Sequence, residues 1–228
     1  MNHPALHTTP FRPASDRRWP FPSPLPVFEF ESWPFVERGA ALRVYPGEIV
    51  RISGGSARSR QALLLAAAGS GACGAGAGAG GDAGGRRVAQ VFFGDTLPAA
   101  ATVAASVALP LVRGGLPIDA ALARARLELD GLGAADLSDR RPESLSAHER
   151  RLALLAAALA QRPALLVIEQ AESQLEPVEV SSLRLALWYL ASNHDACVVM
   201  TTDHPRLIAS ADRHLDLDRY APLARAAA

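Results

Sequence analysis

The sequence predicts an α/β fold: a mostly parallel sheet flanked by helices, with a small antiparallel β part before it and a helical subdomain set into it. Three observations carry that expectation. Short apolar runs of strand length at 49–52, 88–93, 164–168 and 197–201 alternate with longer segments of helical periodicity. The run at 164–168, ALLVI, is apolar at every position, as a strand covered on both faces is. Polar clusters at 54–61, 169–170 and 202–204 each follow a strand, at the carboxyl end where open α/β sheets bind ligands.

The elements follow in chain order. Residues 1–26 carry seven prolines (Pro4, Pro10, Pro13, Pro20, Pro22, Pro24 and Pro26), which forbid a helix or a central strand and predict a disordered or extended tail. Residues 27–53 alternate apolar and polar, with turns at Arg38-Gly39 and Pro46-Gly47, so they read as strand, turn, strand. Ile49, Val50 and Ile52 then lead through Gly54, Gly55 and Ser56 into a helix containing Leu63, Leu64 and Leu65. The tract SGACGAGAGAGGDAGGRR has almost no side chain to bury and reads as a flexible linker. A buried strand follows at 88–93. Residues 102–111 are apolar and end near Pro110 and Gly114-Gly115, and residues 118–130 place Ala121, Leu122, Ala125 and Leu129 on one helical face, so about 94–150 forms the helical subdomain. Ser146 and Glu149 have capping-box spacing and open a helix with Leu152, Leu155 and Leu159 on one stripe. After the 164–168 strand come a helix with Leu183, Leu187 and Leu190, the strand at 197–201, and a short tail at 220–228.

The stretch at 48–69 has the layout of a phosphate cradle, strand then glycine turn then helix. In the P-loop pattern G-x-x-x-x-G-K-[ST], backbone N–H groups and a helix N-terminus surround phosphates, a lysine reaches them and a hydroxyl holds magnesium. Aligning Gly54 with the first glycine runs the loop through Gly55, Ser56, Ala57 and Arg58, then puts Ser59 at the second glycine, Arg60 at the lysine and Gln61 at the hydroxyl. Arginine is a planar fork, not a compact ammonium, and glutamine offers an amide where a hydroxyl is needed. The place is kept while its chemistry is changed.

At 228 residues the chain is long enough for one substantial core, expected at 27–219. Its 23 basic and 23 acidic residues cancel, so no electrostatic footprint argues for nucleic acid. Cys73 and Cys197 match neither metal spacing nor a disulfide framework, which suits a reducing compartment. No stretch has the ~18 consecutive apolar residues of a membrane span, and the N-terminus lacks the apolar core of a signal peptide. The expectation is a soluble protein, or one held at a membrane by a partner.

With these clusters in place, the lines YPGEIVRISGGS, LPAAATVAASVALPLVRGGLP, RRPESLSAHERRLALLAAALAQRPALLVIEQAESQLE and TTDHPRLIASADRHLDL together resemble the ATP-binding subunit of ABC transporters, of the lipoprotein-release and macrolide-export type, over residues 27–219. The resemblance implies a P-loop NTPase-like sheet, ATP and magnesium as cofactors, a membrane permease as partner, and pairing with an identical or related ATPase subunit. It also implies a cytoplasmic protein at the inner face of the membrane, with the permease contacting about 94–144. The family's Walker B strand ends in Asp-Glu, one assisting magnesium and the other polarising water; Glu169 and Gln170 stand there, and an amide takes no proton. Gln61 and Glu169 are thus the metal positions, both altered. Asp203 stands at the switch histidine, with His204 one place later, and Phe93 stands at the Gln loop. The signature LSGGQ becomes Leu145-Ser146-Ala147-His148-Glu149, keeping Ser146 but losing both glycines, so that His148 would crowd a partner's nucleotide. The D-loop likeness is Ser173 to Glu176, and Trp33 or Phe35 would stack on adenine.

Each position also has a purely structural reading: Arg60 and Asp203 as surface charges, Phe93 as core, Ser146 as an N-cap, Gln170 as a residue satisfied by backbone. Both readings keep the fold and lose the hydrolytic groups. The resemblance therefore implies a pseudo-ATPase that docks on a permease as scaffold or regulator. The alternatives are a weakly active ATPase using Arg60 and Glu169, and a soluble interaction protein unrelated to transport.

Overall fold

Eleven of the described strand residues, from three neighbouring strands, already account for the two faces of the core. In a computed structural model that describes residues 28–30, 42–69, 82–83, 86–92, 94–98, 100–194 and 196–219, the strands are β1 (Phe28–Phe30), β2 (Leu42–Val44), β3 (Ile49–Ser53), β4 (Asp82–Ala83), β5 (Arg86–Val91), β6 (Leu165–Ile168), β7 (Cys197–Thr201) and β8 (Arg213–Asp216). The main helices are α1 (Ala57–Gly69), α2 (Val103–Arg113), α3 (Ile118–Gly131), α4 (Ala147–Ala160), α5 (Pro177–His194) and α6 (Pro205–Ile208). One sheet runs β4-β5-β6-β7-β3-β8. Its pairs are parallel apart from β4–β5, and β1–β2 form a separate antiparallel pair. The expected α/β architecture with a small antiparallel part is the architecture observed.

Strand side chains alternate between faces, and the core divides accordingly. Val50, Ile52, Leu165, Val167, Cys197 and Val199 pack with Leu63, Leu64 and Ala67 of α1 on one face. Ile49, Leu166, Ile168, Val198 and Met200 pack on the other with α2, α3, α4 and α5. Both central strands, β6 and β7, are buried at every residue, which is why their sequences show no polar alternation.

Four expectations are corrected in detail. The strand expected to reach Phe93 stops at Val91, because Asp95 turns the chain by accepting the Phe92 N–H at 2.7 Å. The Gly/Ala tract is not linker to its end: Asp82 and Ala83 pair with Arg87 and Arg86 as a short antiparallel edge. The apolar segment read as 102–111 runs two residues further, α2 continuing through Pro110 to Arg113 and ending at the expected Gly114, since a proline in the last turn removes only one ladder bond. The single leucine stripe expected in α4 is a fully buried surface instead, every residue from 151 to 160 being buried, because α4 lies between the sheet and the α2–α3 pair.

The turn at Arg38-Gly39, Trp33, Phe35, Phe93 and the two expected tails lie outside the described residues. Among the described residues no helix is long and apolar enough to cross a membrane.

Candidate functional site

The loop leaving β3 is shaped by two glycines in the left-handed region, Gly54 at φ 67° and Gly55 at φ 59°, where a side chain is costly. Gly54 is also required by proximity, because a Cβ there would lie 2.3 Å from Asp216 Oδ1 and 2.8 Å from Asp218 Oδ2. Two carboxylates from the end of β8 and the turn after it are thus pressed against the loop. The Gly55 N–H donates to Asp218 Oδ1 at 2.9 Å.

The start of α1 is occupied in the same manner. Ser56 Oγ accepts the Ser59 N–H at 3.0 Å, as an N-cap does, and the two hydroxyls lie 2.8 Å apart. The Arg60 guanidinium turns back and donates to the carbonyls of Gly54 at 3.0 Å and Gly55 at 3.1 Å. A cation aimed at carbonyl oxygens is stabilising the loop's own backbone.

Parallel order brings the three polar clusters together. Gly54, Ala57, Arg60, Glu169, Gln170 and Asp203 line one cleft of about 90 Å³, together with Ile52, Ser53, Glu172, Thr201 and Thr202. That volume holds about three waters. Gly55, Ser56, Arg58, Ser59 and Gln61 are near in sequence but do not line it, and Arg58 and Gln61 are exposed on α1. Ser146 stands apart at the start of α4, in a complete capping box with Glu149.

Behind the cleft lies a residue that the motif reading passed over. Arg151, 5% exposed, donates to the carbonyls of Glu169 at 2.5 Å, Gln170 at 2.9 Å and Phe92 at 3.3 Å, tying the ends of β5 and β6 together. Burial lowers its pKa, partly countered by Asp95, Glu169 and Glu172. Burial likewise raises the Asp95 carboxyl above its usual range. The signal for Arg151 was present in the sequence: it sits four residues before Leu155 on a helical face that otherwise carries leucine.

Gln170 is held at φ 45°, with its N–H donating to Thr201 Oγ1 at 2.8 Å. Glu172, also missed, accepts the Asp203 N–H through Oε1 at 2.8 Å, while its buried Oε2 has no hydrogen-bond partner among the described residues. Asp203 itself is 97% exposed, 3.5 Å from Arg51, and His204 caps α6 by accepting the Arg206 N–H. His148 is engaged within the chain: Nδ1 lies 2.8 Å from the Gln174 carbonyl and Nε2 2.9 Å from Glu179. The Glu149 carboxyl is lowered to about 2, first by the Ser146 N–H and then by Arg140. Chemically, the cleft presents Glu169, Glu172 and Asp203 against one arginine already engaged with carbonyls.

No family-level sequence model matches the chain. The lipoprotein-releasing system ATP-binding protein LolD 2 of Caulobacter vibrioides is 30% identical over 213 residues, 81% of this chain and 90% of that protein. The methionine import ATP-binding protein MetN of Mesorhizobium japonicum is 35% identical over 134 residues, 58% of this chain but 37% of that longer protein. Among solved structures, the ATP-binding cassette MJ0796, a dimer in a post-hydrolysis state bound to ADP and Pi, aligns with a TM-score of 0.64 at 17% identity, over 82% of this chain and 90% of that one. The likeness to that structure concerns the fold. With 30% identity to LolD 2 over nearly the whole of that protein, the chain belongs to the family of ABC transporter ATP-binding subunits, and the fold agrees.

Proposed function

We propose that this chain is a pseudo-ATPase of that family, which docks on a membrane permease as scaffold or regulator. The observation that carries the reading is the state of the phosphate loop: Asp218 accepts the Gly55 amide, and Arg60 is turned onto the carbonyls of Gly54 and Gly55. An amide already bonded to a carboxylate is not available to phosphate, and the carboxylate repels one. Magnesium ATP does not fit these residues as they stand. Glu169 is the remaining acidic group at a metal position, Gln61 brings no hydroxyl, and Gln170 cannot act as a general base. A slow ATPase is the second reading, favoured by Arg60 and Glu169 lining one cleft, but it requires Arg60 to release both carbonyls.

Residues 27–219 act as one nucleotide-binding-type unit, with the segment at about 94–144 facing the permease at the inner face of the membrane. Pairing is with a second copy or a competent relative. In this role the intact fold is what matters, because a docking surface needs the α2–α3–α4 packing and not hydrolysis.

The test is a titration with labelled ATP and magnesium on the full chain, beside Asp218→Ala and an Arg60→Lys, Gln61→Ser double variant. The expected result is no saturable binding by the native chain and measurable binding once the loop is freed and its residues restored. Tight binding and turnover by the native chain, with turnover abolished in Gln170→Ala, refute the proposal.

A further inference from the structure

Away from the cleft, α5 and α6 border a second, open pocket of about 370 Å³, lined by Ser181, Arg184, Arg206, Ala209 and Ser210, with Arg184 half-buried and Arg206 exposed. Its size lies within the ~300–1,000 Å³ of small-molecule sites, and it is larger than the cleft at the phosphate loop. Helical spacing builds it: Ser181 and Arg184 are three apart on α5, while Arg206, Ala209 and Ser210 follow at three and four across α6 and its last turn.

The polar groups there are unbalanced. Among the described residues no carboxylate lines the pocket and neither arginine is in an ion pair. The Arg206 guanidinium donates to Ser181 Oγ at 2.6 Å. The hydroxyls face inward to backbone, Ser181 Oγ donating to the Pro177 carbonyl at 3.0 Å and Ser210 Oγ to the Leu207 carbonyl at 2.7 Å. Two guanidinium forks therefore supply donors that meet no carboxylate among the described residues, and planar forks match the oxygens of phosphate. The volume beyond a phosphate, walled by Ala209, leaves room for a small organic group.

We infer that this pocket is an anion site for a phosphate monoester or a phosphate-bearing headgroup, held between Arg184 and Arg206. It is independent of the loop at 54–61 and does not rest on whether that loop binds ATP. A ligand there joins α5, which follows the Glu169–Gln170 turn, to α6, which follows Asp203.

The experiment is calorimetric titration of the full chain with phenyl phosphate and inorganic pyrophosphate, and sedimentation with phosphatidylcholine vesicles with and without phosphatidylglycerol. Arg184→Ala and Arg206→Ala are each expected to weaken binding about tenfold, the effect of one lost charge-assisted contact. Arg184→Lys and Arg206→Lys are expected to fall between, and Arg126→Ala serves as the charge-matched control. Saturable binding of the soluble probes, lost in both alanine variants at unchanged melting temperature, supports a soluble ligand. Binding restricted to phosphatidylglycerol vesicles with the same dependence supports a headgroup. Absence of saturable binding to either, binding insensitive to both arginines, or binding lost instead in Arg60→Ala overturns the inference.

Discussion

Replacing Arg151 with methionine keeps an unbranched apolar stem and removes the guanidinium that holds three strand-end carbonyls at once. Those contacts, to Phe92, Glu169 and Gln170, are hydrogen bonds from a charged donor, worth ~1.5–3 kcal/mol each before compensation. Against them stands relief of a buried cation, whose Nε finds no partner and whose desolvation costs several kcal/mol. The difference is a net loss of about 3 kcal/mol, the low end of what removing one member of a buried charged network costs. For a chain of this size that lowers the melting temperature by roughly 6–12 °C. Arg151→Lys should lose an intermediate amount, since an ammonium cannot span three carbonyls. Thermal unfolding by circular dichroism measures the loss, and hydrogen exchange should show faster exchange at the Gln170 and Ala171 amides. A loss below about 1 kcal/mol, or exchange unchanged at 170–171, refutes the claim that Arg151 fastens the sheet end.

Three other perturbations follow from the same geometry. Gly54→Ala should cost about 1–3 kcal/mol, combining a left-handed φ with the close approach of Asp216 and Asp218, and the Gly55 amide resonance should move as its bond to Asp218 opens. Gln170→Gly should raise stability by up to about 1 kcal/mol in urea unfolding, because glycine adopts φ 45° without strain. Glu149 has a folded-state pKa of about 2 against an ordinary 4.5. Its contribution is therefore fully present above the unfolded value and is lost as pH falls from 4.5 toward 2. Melting temperatures across that window should fall less steeply in Glu149→Gln than in the native chain.

The longer strands, the helices α1 to α5, their alternation and the Ser146–Glu149 cap were legible in the sequence because each is set by neighbours: period-2 or period-3.6 burial, a turn residue, a side chain reaching its own backbone; the short β4, β8 and α6 were not. So was the gathering of 54–61, 169–170 and 203 at one sheet end, which follows from parallel order alone. The substitutions of Arg60, Gln61 and Gln170 could also be read one residue at a time. What Arg60 and Asp218 do could not, since Arg60 chooses its acceptors in space and Asp218 meets Gly55 across 163 positions. Nor could the burial of every α4 residue from 151 to 160, which depends on the α2–α3 pair lying over it, or the meeting of Arg184 and Arg206 at one pocket, which depends on how α5 and α6 pack. Local periodicity fixes which side of an element is apolar; only the packing of distant elements fixes what each polar group on that side finally meets.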